Sequence, residues 1–82
     1  MRGVADEVRT FIIGDLGWNG TAEQITDDLP LIREGVLDSI GILTLVQFLE
    51  STYCIAIEDG EIVPEHFGTL VDIEKLVLSK QG

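Results

Sequence analysis

The chain contains few of the residues that build metal, redox or disulfide sites. It has one cysteine, Cys54, and one histidine, His66. A lone cysteine cannot form an internal disulfide, which fits a reducing compartment, and we expect a cytoplasmic protein. Because His66 has no cysteine or carboxylate at metal-ligand spacing on a shared face, we expect no metal site. Cys54 lies in an apolar run, where a thiol is usually inert core filling rather than half of a catalytic Cys54–His66 pair.

Basic residues are also scarce. Fifteen Asp and Glu residues against five Lys and Arg residues give a formal net charge of −10. Residues 10–32 and residues 49–74 contain acids and no base. Such a surface repels nucleic acids and anionic membranes, so we expect neither as a partner and favour proteins with basic docking patches. The alternative is that the acidity only keeps the domain soluble.

Long apolar runs are absent. No run approaches the roughly 20 residues that span a bilayer, and residues 1–10 lack the apolar core of a secretory signal. We therefore expect no membrane insertion. The length of 82 residues predicts a single domain over residues 1–82 with a thin core, and we expect it to be a monomer.

Apolar residues recur at helical spacing in three parts of the chain. The predicted core stripes are Val4, Val8, Phe11, Ile12 and Leu16 in the first helix, Ile42, Leu45, Val46, Leu49 and Tyr53 in the second, and Leu70, Ile73, Leu76 and Val77 in the last. Pro64 suits the first position of a short helix that runs through Phe67. We predict an all-α fold, a four-helix bundle of three longer helices and one short helix.

A long loop is predicted between the first and second helices. Residues 18–20 have turn chemistry, and Thr21 with Gln24 has the spacing of a capping box. The apolar residues of 26–37 do not recur at helical or strand spacing, so we expect a loop there. Its apolar side chains should pack against the core and hold the loop in place. The second helix is predicted to begin at Asp38 or Ser39, since either side chain can cap it.

Two aliphatic residues fall on the polar side of the second helix. Ile40 lies in the middle of that side and Leu43 at its edge, among Thr44, Gln47 and Ser51. The helix is therefore predicted to carry a small exposed apolar patch.

Ser39 is the one candidate nucleophile, and no base lies near it in sequence. A serine that activates itself needs a partner such as histidine within hydrogen-bond reach. A serine that another enzyme modifies needs only exposure, a docking surface and a helix N-terminus, whose free N–H groups and dipole suit an attached phosphate. The alternatives are that Ser39 is merely an N-cap, or that it serves a small hydrolase, which would also need an oxyanion hole.

The whole arrangement resembles the acyl and peptidyl carrier protein family, as a stand-alone carrier. The likeness lies in the chain length, the acidity and the order of the segments, and it covers residues 35–41, 45–50 and 57–70. Asp38-Ser39 followed by an aliphatic residue, here Ile40, is the attachment motif of that family.

The resemblance implies a carrier without catalytic residues of its own. A separate phosphopantetheinyl transferase would attach 4'-phosphopantetheine to the hydroxyl of Ser39, and Asp38 would orient the transferase or its metal. The terminal thiol would hold acyl or aminoacyl cargo as a thioester for downstream acyl-transfer or condensing enzymes. Ile40, Leu43 and Gln47 lie where the family's second helix meets its partners.

The sequence departs from the pattern of fatty-acid carriers, whose second helix is rich in acids just after the serine. Here Gly41 and Thr44 occupy such positions, and no acidic residue lies between Ser39 and Glu50. The helix is more similar to carriers that a dedicated adenylating ligase loads, in secondary-metabolite, aminoacyl or cell-envelope pathways. The competing hypothesis is a small acidic interaction domain without a prosthetic group, which would tolerate loss of the Ser39 hydroxyl.

Overall fold

The computed structural model describes residues 3–81; Met1, Arg2 and Gly82 lie outside the described residues. The four α-helices are α1 (Val4–Gly14), α2 (Ser39–Tyr53), α3 (Pro64–Phe67) and α4 (Leu70–Gln81). Single 3₁₀ turns occur at Ala22–Gln24 and Asp59–Glu61, and residues 3–81 contain no strand. The prediction of an all-α fold with three longer helices and one short helix is therefore confirmed.

The core is built around α4, which contacts α1, α2 and α3. The side chains that the three predicted stripes place inside are largely buried: four from α1, three from α2 and four from α4. These are Val4, Val8, Phe11, Ile12, Leu45, Val46, Leu49, Leu70, Ile73, Leu76 and Val77. Ile42 and Tyr53 are only partly buried, and α1 ends before Leu16, which packs beside the core from the following loop. One contact that the periodicity did not predict joins α1 to α2, where Phe11 and Phe48 stack with ring centroids 4.3 Å apart.

The long loop between α1 and α2 is fixed to the helices by polar and apolar contacts. Leu31 is fully buried, and its backbone N–H donates to the carbonyl oxygen of Gly68 at 2.7 Å. Arg9 on α1 donates from Nε to the carbonyl oxygen of Ile25 at 2.7 Å and forms an ion pair with Asp27 at 2.5 Å. The expectation that apolar loop residues hold this segment against the core is confirmed at Leu31.

α3, α4 and the first 3₁₀ turn begin where the sequence indicates. Pro64 occupies the first turn of α3, and the Thr69 hydroxyl accepts a hydrogen bond from the backbone N–H of Asp72 at 3.1 Å, at the start of α4. The predicted capping box of Thr21 and Gln24 is also present. These caps satisfy N–H groups that have no partner inside a helix.

The expectation that Cys54 fills the core is wrong, because its side chain is exposed. Cys54 is the C-cap of α2 and adopts a left-handed conformation with φ of 55°. This conformation turns the chain away from the helix axis. In the apolar run 54–57 the buried residue is Ile57 instead, and its backbone N–H donates to a carboxylate oxygen of Glu50 at 2.9 Å.

Within residues 3–81, none of the helices combines the length and the apolar character that crossing a membrane requires.

Candidate functional site

Asp38 and Ser39 have different structural roles at the start of α2. Asp38 is the N-cap: its backbone is extended, and its Oδ1 accepts a hydrogen bond from the backbone N–H of Gly41 at 2.7 Å. Ser39 is the first residue of the helix and is exposed. Its hydroxyl makes no hydrogen bond with any other residue in the range 3–81. The cap of α2 is therefore supplied by Asp38, and Ser39 is not needed for it.

The N-terminus of α2 presents free backbone donors beside the Ser39 hydroxyl. The first helical hydrogen bond runs from Ile42 N–H to the Asp38 carbonyl oxygen at 2.8 Å. The N–H groups of Ser39 and Ile40 precede it, and neither has an acceptor among the described residues. The first turn also contains no acidic residue. A phosphate attached to Ser39 would thus meet two free donors and the positive end of the helix dipole.

The outer face of α2 next to Ser39 is apolar and uncharged. Ile40 is 75% exposed and Leu43 is 55% exposed, and Gln47 lies exposed one turn further on. We call these three residues the α2 patch. The one charged residue of α2 is Glu50, and its carboxylate is engaged by the Ile57 N–H. The apolar patch predicted from the sequence is therefore present, and its polar component is the Gln47 amide.

A cleft of about 480 Å³ opens beside Ser39. It is lined by residues 15–19, which follow α1, and by Gly35 and Val36 of the long loop. The third wall comes from the start of α2, with Asp38, Ile40, Gly41 and Thr44. We call it the Ser39 cleft. The cleft was not predictable from the sequence, because its walls come from three separated segments. Trp18, which the sequence indicates only as part of a turn, is half-buried in one wall.

The arrangement around Ser39 contains none of the partners that a self-activated nucleophile requires. No imidazole, amine or carboxylate of residues 3–81 forms a hydrogen bond with its hydroxyl. Over the same residues, no group of three or more His, Cys, Asp or Glu side chains is placed to hold a metal ion. What the geometry offers is an exposed hydroxyl at a helix N-terminus, next in the chain to Ile40, which belongs to both the patch and the cleft.

The acidic 3₁₀ turn Asp59–Glu61 is joined to α4 by an ion pair. Lys80 donates to Glu61 Oε1 at 2.5 Å, and the Glu58 backbone N–H donates to the same oxygen at 3.0 Å. The hydrogen bond from Lys80, followed by that from Glu58, lowers the pKa of the Glu61 carboxyl from its ordinary value of 4.5. Glu61 therefore remains ionised further into the acid range than an isolated glutamate.

No protein-family model matches the chain, and no curated protein matches it. One solved structure, the crystal structure of an FAD-dependent dehydrogenase, contains a chain that aligns with a TM-score of 0.74 and 31% sequence identity. The alignment covers 85% of this chain and 97% of that chain. The two chains share the helical fold over most of their lengths.

Proposed function

We propose that the protein is an acyl carrier whose Ser39 holds a 4'-phosphopantetheine arm. The observation that carries this proposal is the division of roles at the start of α2. Asp38 caps the helix, which leaves the Ser39 hydroxyl exposed and without a hydrogen bond. The match to a solved structure supports only the helical fold on which the proposal rests.

The residues around Ser39 fit attachment by a separate enzyme. A phosphopantetheinyl transferase would bring coenzyme A to the exposed hydroxyl; the Oγ–H bond breaks, an Oγ–P bond forms, and the adenosine bisphosphate half of coenzyme A leaves. The proton passes to a base of the transferase. The free N–H groups of Ser39 and Ile40 then stabilise the phosphodiester that remains. The attached arm supplies the thiol on which cargo is carried.

The α2 patch is the proposed contact surface for partner enzymes. Ile40, Leu43 and Gln47 are exposed on one helix that carries no free charge. A partner would recognise this surface by apolar contact and hydrogen bonding, while the net charge of −10 attracts basic surfaces over longer distances. A docking helix without free charge favours an adenylating acyl or aminoacyl ligase of a dedicated pathway as the partner. Enzymes that bind carriers through an acidic second helix are less suited to it. We propose a cytoplasmic monomer that binds neither nucleic acid nor membranes.

The function is tested by loading the holo protein with cargo. With ATP, a labelled amino or carboxylic acid and the adenylating ligase encoded nearby, the wild type should gain label that hydroxylamine releases, as a thioester does. Ser39→Ala should gain none, because it has no arm. Efficient loading by a fatty-acid malonyl transferase instead would contradict the assignment to a dedicated pathway. Equal loading of Ser39→Ala would contradict the carrier function itself.

A further inference from the structure

The Ser39 cleft has no role in the function proposed so far. Its lining includes Asp38 and Ile40, the two residues that flank Ser39 in the chain. Ser39 itself is not among the lining residues, so a group attached to it begins beside the cleft, between two of the residues that line it. A tether of this kind keeps the attached group at high effective concentration, so that even weak contacts become populated.

The lining of the cleft combines apolar surface with unused polar groups. Leu16, Trp18 and Val36 supply aromatic and aliphatic surface. Asp15 and Asn19 lie in the same wall, and within residues 3–81 neither side chain has a hydrogen-bond partner. A ligand that fits such a site has methyl groups together with hydroxyl or amide groups.

The charge of the lining selects against anions. Asp15 and Asp38 are the charged residues among the lining, and both are acidic. A phosphate would be repelled from the interior of the cleft and is better placed at the N-terminus of α2. The part of a bound group that enters the cleft should therefore be neutral.

Gly41 lies where the cap of α2 meets the apolar wall of the cleft. A Cβ atom at this position would lie 3.1 Å from Asp38 Oδ1 and 3.7 Å from Leu16 Cδ1. A side chain there would crowd both the cap of α2 and the apolar wall.

We propose that the Ser39 cleft binds the neutral pantoyl segment of the phosphopantetheine arm, next to its phosphate. The geminal methyl groups of this segment pack on the wall formed by Trp18 and Val36, and its hydroxyl and amide pair with the polar groups of Asp15 and Asn19. The inference rests on the proposed function of Ser39. Because Ile40 belongs to both the cleft and the α2 patch, a partner that covers Ile40 competes with the docked arm.

The test is nuclear magnetic resonance of the protein before and after modification by a phosphopantetheinyl transferase. Trp18 is the sole tryptophan, so its indole resonances are assigned without ambiguity. We expect nuclear Overhauser contacts between the arm methyl groups and the Trp18 ring, and shifts in the amides of residues 15–19. Modified protein whose shifts are confined to the neighbours of Ser39, without contacts to Trp18, would overturn the inference and leave the carrier function intact. Failure to gain mass would overturn both.

Two matched substitutions on α2 sharpen the test. Thr44→Phe places a ring in the cleft, whereas Thr52→Phe makes the same change at an exposed position of α2 outside it. Both variants should gain the arm, but contacts to Trp18 should be lost in Thr44→Phe and kept in Thr52→Phe. Contacts that persist unchanged in Thr44→Phe would contradict the proposal. If a variant does not fold, the wild-type measurement decides.

Discussion

At the scale of single residues, the proposal that Ser39 is the attachment residue depends on which side chain caps α2. A serine before a helix is commonly a cap, and the sequence left Asp38 and Ser39 as equal candidates. The structure gives the cap to Asp38, whose Oδ1 accepts from the Gly41 N–H. An exposed hydroxyl without a structural task is then free for modification.

This division predicts different stabilities for two alanine variants. Asp38→Ala should lower the free energy of unfolding by about 1 kcal/mol, since it removes an N-cap acceptor. Ser39→Ala should change it by less than about 0.5 kcal/mol, as exposed substitutions away from structural contacts do. Urea denaturation followed by circular dichroism measures both. A larger loss in Ser39→Ala than in Asp38→Ala would show that Ser39 is the cap after all.

At the scale of helices and turns, the elements were predictable wherever their signal is local. The stripe of Leu70, Ile73, Leu76 and Val77 predicted α4, and Pro64 predicted the start of α3, because spacing and proline geometry act within a few residues. The end of α1 was less clear. Leu16 continues the helical spacing, yet α1 ends at Gly14 and Leu16 packs from the loop instead.

Features that join distant segments were not predictable in the same way. The sequence could not show that Arg9 reaches Ile25 and Asp27, or that Phe48 stacks on Phe11. Nor could it show that Cys54, in an apolar run, would be turned outward by a left-handed cap. Such contacts depend on how whole elements pack. The Ser39 cleft was not predictable for the same reason, since its walls come from separated segments. The exposed patch at Ile40 and Leu43 was predictable, because it depends on the spacing within one helix.

The Lys80–Glu61 ion pair links the acidic 3₁₀ turn to α4, and its contribution to the free energy of unfolding depends on pH. Because the folded state lowers the pKa of Glu61 from 4.5, the pair stabilises the protein above that value. The contribution is lost as the pH falls through the lower, folded-state pKa. Wild type should therefore be more stable than Glu61→Gln near neutral pH, with the difference vanishing in strong acid.

Urea midpoints measured across the acid range check this prediction. Glu65→Gln is the matched control, since Glu65 is exposed on α3 and no ion pair joins it to another described residue. The control should differ little from wild type at any pH. A stability gap for Glu61→Gln that stays constant into strong acid would contradict the assigned role of ionised Glu61.

At the scale of the whole molecule, a strongly acidic chain carries an apolar patch without charge on α2. The net charge of −10 provides a field that acts at a distance and selects basic partners. The α2 patch and the Ser39 cleft lie together at the start of α2, where they share Ile40, the residue after Ser39. This arrangement fits a molecule that holds a tethered group and presents it, with the catalysis left to its partners.

The most direct measurement of the central claim is the intact mass of the protein after incubation with coenzyme A, magnesium and a broad-specificity phosphopantetheinyl transferase. Ser39→Ala, shown to be folded by circular dichroism, runs alongside. We predict that the wild type gains the mass of one phosphopantetheine group and that Ser39→Ala gains nothing. No gain by folded wild type with several transferases would contradict the account and favour the acidic interaction domain. Equal gains in both proteins would place the attachment elsewhere.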